Sequence, residues 1–205
     1  MWDSQVLPRL TDILLSGRPI DDLRAAALAP ARGEVLELGF GTGTNLRHYP
    51  EAVTVVHAVE PSETAWRLSE KHRQHARPPV IRAGLDGATL SAPDASFDTV
   101  VSTFTLCTIP EVEEALRQVR RVLRPGGRLC LLEHGLSPDA GTAAWQRRLE
   151  PTQRLLGGGC HLTRDPLGLV RAAGLRIESA DQRRLTRRRA MAPWTFMTRA
   201  VAVNP

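Results

Sequence analysis

Lysine is almost missing from this chain: Lys71 is the only one among 27 basic residues. Such an arginine bias, beside alanine and proline richness, follows genomic base composition as readily as function. The formal charge of +5 is therefore not read as a sign of nucleic-acid binding. Cysteine is scarce as well. Cys107, Cys130 and Cys160 stand far apart with no C-x-x-C pair, which excludes a disulfide framework and points to free thiols in a reducing cytoplasm. No apolar run is long enough for a spanning helix. The N-terminus places acids early and has no basic stretch ahead of an apolar core, so no signal peptide is expected. No Gly-Lys-Ser/Thr follows the glycine cluster, which excludes the triphosphate-binding loop. Internal repeats and low-complexity segments are absent too.

What is present is an alternation of strand and helix patterns across 205 residues, enough for one domain with a full core. Residues 4–29 suggest one or two short helices broken near Gly17-Arg18-Pro19. Strand patterns follow at 34–39, 53–60, 79–84, 97–105 and 127–134, with helices opening around Thr44, after Pro61-Ser62, and over 110–124. A helix carrying Trp145, Leu149 and Leu155 precedes two further strands, 175–185 and 195–203. The loop between these is too short for a crossover helix, so the last strand must run antiparallel. The expected architecture is an α/β doubly wound sheet.

The stretch "VLELGFGTG" raises the functional question. Gly39, Gly41 and Gly43 form G-x-G-x-G after a strand, a turn built for close approach of backbone to a ligand. Glu37 lies inside the strand end, an odd place for a carboxylate unless something cationic approaches. Glu60 closes the second strand, where an acid can bind ribose hydroxyls. A dinucleotide requires a helix N-terminus cleared for pyrophosphate, and an acid just before the turn opposes phosphate. S-adenosylmethionine suits both demands: it has a ribose, no phosphate, and a positively charged sulfonium and amine.

With "AVEPS", "DASFDTVVSTFTL" and "VRRVLRPGGRLCLLEH" following in order, residues 33–135 resemble the core of class I S-adenosylmethionine-dependent methyltransferases. The resemblance implies a Rossmann-like sheet of seven strands with the last antiparallel, and S-adenosylmethionine as cofactor. It implies one methyltransferase domain over 1–205, with a helical cap (1–30), the cofactor core (33–135) and a substrate-side helix with C-terminal strands (136–205). It assigns cofactor contacts to Glu37, Gly39, Gly41, Gly43, Asn45, Glu60 and Pro61. Asp86 and Gly87 would lie under the adenine, and the Thr103 carbonyl would meet the methionine end.

The end of the fourth strand reads "TFTL", not the Asn/Asp-Pro-Pro-aromatic of DNA amine methyltransferases, and no stripe of interleaved aromatics and bases is present. Both count against nucleic acid. "GTGTNLRHYP", "LCTIPEVEEALRQVRRVLRPGGRLCLLEHG" and "GGCHLTRD" further resemble the methyltransferase-like thiol S-methyltransferases and their bacterial relatives. The animal members carry an N-terminal membrane segment that is not found here. The resemblance implies methyl transfer to a small-molecule thiol in the cytoplasm. His134, at the end of strand five, is the candidate catalytic residue, by deprotonating or orienting the acceptor. Trp145, Cys160, His161, Met191 and Trp194 are candidate substrate contacts. Glu133, His134, Cys160 and His161 could be drawn as a metal site, but their spacing matches no zinc pattern and no metal is expected. Cys107 and Cys130 read as packing residues. "RRLTRRRAMAPW" (183–194) should project at the cofactor edge, where Arg187, Arg188 and Arg189 would raise positive potential. Two alternatives stay open: N-methylation of a phospholipid head group or other small amine, with peripheral contact at an anionic bilayer, and a non-catalytic cofactor-binding protein.

Overall fold

The computed structural model describes residues 15, 17–186 and 188–205. The first part of the expected N-terminal helical segment and Arg187 lie outside them. Seven strands form one sheet in the order β3-β2-β1-β4-β5-β7-β6. They are β1 (Gly33–Leu38), β2 (Val53–Val59), β3 (Val80–Gly84), β4 (Phe97–Thr103), β5 (Leu123–His134), β6 (Arg176–Arg184) and β7 (Phe196–Val203). Strands β1 to β5 pair in parallel, whereas β7 is antiparallel to both β5 and β6. The C-terminal ends of β1, β4 and β5 therefore open at one edge.

The central strands are mainly apolar because helices cover both faces, with buried polar residues such as Glu37, Ser102, Thr103 and Glu133 gathered toward their C-terminal ends. Val35, Val56, Val101, Cys130 and Leu132 belong to the core on one face, beneath helix α1 (Arg18–Leu28). Leu36, Val100, Leu129 and Leu131 belong to the other, beneath α4 (Val112–Val122) and α6 (Pro166–Ala172). Helix α4 buries Val112, Ala115, Leu116, Val119 and Val122, the i, i+3, i+4 spacing of one helical face. Truncating Leu116 to alanine removes a buried branched side chain and should cost about 2–5 kcal/mol.

Helices α2, α5 and α6 start on caps visible in the chain. Ser62 accepts from the Ala65 N–H at α2 (Glu63–Leu68), which is followed directly by α3 (Glu70–Gln74). Asp139 accepts from Thr142 at α5 (Ala140–Leu156), and Asp165 from Leu167 at α6, whose first residue is Pro166. One expected helix is missing: the chain after the glycine turn makes only a 3-10 turn, Leu46–His48. Pro50 keeps Tyr49 extended (ψ 130°) and ends any helix there. The β6–β7 connection holds a second 3-10 segment, Arg189–Trp194. Gln146, fully buried in α5, donates to the Pro193 and Gly135 carbonyls and fastens that segment to the helix.

Candidate active site

The glycine turn leaves β1 at the open edge with Gly39, Gly41 and Gly43 all at positive φ (66°, 59° and 80°). Gly39 is required twice over: a Cβ there would lie 2.1 Å from Thr105 Oγ1. The turn is pinned to β2 by bonds from the Gly39 and Phe40 N–H groups to the Val59 carbonyl. Glu60 completes the anchorage. Its carboxylate accepts from the Gly41 N–H and the Ser62 N–H, each at 2.7 Å, and its own N–H reaches the Gly84 carbonyl. Burial pushes the Glu60 pKa up against those bonds.

Glu37 sits fully buried below the turn. Asn45 Nδ2 and the Tyr49 hydroxyl each donate to it at 2.7 Å, and burial raises its pKa to about 7. Arg24 reaches the same cluster from α1, donating to Asn45 Oδ1 (2.8 Å) and Thr103 Oγ1 (2.9 Å), while Asn45 also donates to Thr103 Oγ1. Arg24 is a site residue that sequence reasoning missed, since an arginine in an alanine-rich helix has the look of a solvated face. Phe104 was missed too: it holds φ 55°, rare for a bulky residue, under the Arg24 guanidinium at 5.1 Å. The Thr103 carbonyl accepts from Thr105 Oγ1 at 3.0 Å. Pro61 is exposed beside Glu60. Asp86 is exposed and accepts from the Ala88 N–H in its own turn, next to buried Gly87.

These residues suit S-adenosylmethionine better than a phosphate ligand. The turn leads into a single 3-10 turn with no helix N-terminus to receive pyrophosphate, and a carboxylate lies directly beneath it.

On the other side of the edge, His134 ends β5 and its Nε2 lies 2.8 Å from Cys160 Sγ, which is 3.6 Å from Cys107 Sγ. The structure thus brings together His134 and Cys160, both candidates from the sequence, and adds Cys107, which had read as a packing residue. His161 turns away and pairs with Glu150 at 2.7 Å. Glu133 is fully buried; its Oε1 accepts from Ser102 Oγ and the Thr105 and Leu106 N–H groups. It ties the loop after β4 to β5. Trp145 (60% exposed), Met191 (48%) and Trp194 (36%) lie at the surface, with Trp194 Nε1 donating to Gln153. They form no enclosed wall.

The methyltransferase domain family matches residues 36–131. Thiol S-methyltransferase TMT1B of Homo sapiens is 40% identical over 67% of this chain and 59% of its own length. Phosphatidylethanolamine N-methyltransferase of Cereibacter sphaeroides is 35% identical over 65% of this chain and 67% of its own. An S-adenosylmethionine-dependent methyltransferase structure from Methanosarcina mazei superposes with a TM-score of 0.61 at 20% identity, covering 83% of this chain and 91% of that one. The chain spans 55% to 59% of the thiol S-methyltransferases it matches. Among the described residues no helix is long and apolar enough to cross a membrane. Sheet order, glycine turn, paired acids and these likenesses agree: the chain belongs to the class I S-adenosylmethionine-dependent methyltransferases.

Proposed function

We propose that this chain transfers a methyl group from S-adenosylmethionine to the sulfur of a small thiol. One observation carries the reading. Cys107, His134 and Cys160 come from the segments whose pattern resembles the thiol S-methyltransferases, and they converge at the edge that holds the glycine turn. When bound, the donor supplies an electrophilic methyl on a cationic sulfur. Glu60 takes the ribose hydroxyls, and Asp86 and Gly87 flank the adenine. The glycine turn and Pro61 close on the nucleoside, and the Thr103 carbonyl, Asn45 and Glu37 face the methionine end. The acceptor thiol gives its proton to solvent, its sulfur forms a bond to the methyl carbon, and the bond between that carbon and the sulfonium breaks with its electron pair. Positioning supplies much of the rate in such a displacement. His134 and Cys160 hold the acceptor.

A second reading, N-methylation of a lipid head group, is favoured by the exposed Trp145, Leu155 and Leu156, which share one side of α5 with the exposed Arg148. Such a face suits an anionic bilayer. The Cereibacter sphaeroides relative carries the corresponding name.

The test offers methyl-labelled S-adenosylmethionine together with small thiols and phosphatidylethanolamine vesicles, and follows the label. Label in the thioether, lost in His134→Ala while donor affinity is kept, is expected. Label in the lipid amine instead would replace the first reading with the second.

A further inference from the structure

Cys107 lies in the loop after β4, His134 ends β5, and Cys160 lies in the turn between α5 and α6. Their ligand atoms all lie within 4.8 Å of one another, and both cysteines are free and buried. The three backbones are held firmly. Glu133 Oε1 pins the N–H groups of Thr105 and Leu106, and the Arg164 guanidinium bonds the Leu106 carbonyl. The His161 N–H donates to the Cys107 carbonyl at 2.9 Å. Among the described residues, two buried polar atoms at this end of β5 have no partner, His134 Nδ1 and Glu133 Oε2.

The spacing resembles that of ligands around a tetrahedral ion. Bonds of about 2.3 Å to sulfur and 2.0–2.1 Å to nitrogen set two sulfurs about 3.8 Å apart, and sulfur and nitrogen about 3.5 Å apart. The cysteine sulfurs stand at 3.6 Å, and the His134–Cys160 pair, at 2.8 Å, needs to open by less than an ångström. Two soft thiolates and an imidazole suit zinc, and they make a neutral set with a divalent ion, which suits a buried place.

We propose that Cys107, His134 and Cys160 bind one thiophilic divalent ion of the zinc class, with a fourth position open to the acceptor sulfur. Expectation from spacing missed this set because it joined His134 and Cys160 to Glu133 and His161. His161 is engaged by Glu150, and Cys107 takes the third place. The site faces the donor side: Thr105, two residues before Cys107, packs against Gly39 of the cofactor turn. The fourth-position assignment rests on the thiol reading above. A thiol entering it gives its proton to solvent as its sulfur joins the metal. The thioether left after methylation is neutral and a weaker ligand, so it departs.

Cobalt(II) is the probe. Protein stripped with a chelator should take up one cobalt ion per chain, with a sulfur-to-cobalt charge-transfer band and the visible bands of a tetrahedral site. Cys107→Ser and Cys160→Ser should each weaken uptake by more than about 10-fold, the least that loss of even a supporting partner costs a metal site. Cys130→Ser should not, since Cys130 lies in the core of β5. If a serine variant does not fold, alkylation of the unaltered chain decides: zinc should protect Cys107 and Cys160. Absence of the bands and of protection, leaving only a hydrogen-bonded thiol pair, overturns the proposal, as do bands that persist in both serine variants. A small thiol should shift the visible bands, and bands that do not shift overturn the fourth position. Thiol methylation by a chain that binds no cobalt overturns the metal and leaves the thiol reading standing. Cobalt binding with label found only in an amine does the reverse.

Discussion

The Tyr49 hydroxyl donates to Glu37 Oε2 at 2.7 Å, so the single tyrosine of the chain is spent on a fully buried carboxylate under the cofactor turn. Asn45 holds the other oxygen, and Arg24 lies close enough to favour the charged form. Burial outweighs all three and raises the Glu37 pKa from 4.5 to about 7. Between those values the native state keeps a proton that the unfolded chain has released. Its contribution to stability is therefore full below pH 4.5 and declines as pH rises toward 7. The difference amounts to about 3 kcal/mol at 1.36 kcal/mol per unit. Chemical denaturation at pH 5 and pH 7.5 should show a weaker fall for Glu37→Gln, which resembles the protonated acid at every pH. Equal falls in both proteins would remove Glu37 from the account.

Gly39 makes the tightest demand on the turn. Gly39→Ala meets both the positive φ and the Thr105 side chain, and should cost at least about 2 kcal/mol while weakening donor binding. Adding Thr105→Ala relieves the collision and not the backbone strain, so the double variant should recover part of the loss. Thermal melts and donor titrations of the three proteins measure this. A double variant no better than Gly39→Ala would mean that the collision is not what fixes glycine there.

The β6–β7 connection begins at the C-terminal end of β6, on the cofactor edge, and Arg188 and Arg189 in it are exposed. Replacing both with glutamine should raise KM for anionic acceptors and flatten its salt dependence, with little change for neutral ones. Steady-state kinetics at two ionic strengths decide it. Equal changes for both acceptor types would leave the pair as solvated surface charge.

The sheet was legible because Val-rich strands are bounded by turn residues, and because the short link before β7 permits only an antiparallel return. That Glu60 lies against the glycine turn was legible from its place at a strand end. Arg24 was not, since its burial depends on α1 lying against the sheet. The helix expected after Gly43 was overruled by Pro50, which acts on Tyr49 only through local sterics. Cys107 read as packing because no spacing rule brings the loop after β4 to the turn after α5. His161 read as a substrate contact because nothing in the chain pairs it with Glu150 in advance.

The most direct test of the donor site is a calorimetric titration of S-adenosylmethionine into the unaltered chain and Glu60→Ala. In the structure the Glu60 carboxylate accepts the Gly41 and Ser62 N–H groups and so shapes the turn; the proposed function gives it the ribose hydroxyls as well. The account predicts binding of one donor per chain and a loss of about 1.5–3 kcal/mol in the folded variant, the scale of hydrogen bonds to a charged acceptor. Equal affinities in two folded proteins would contradict it.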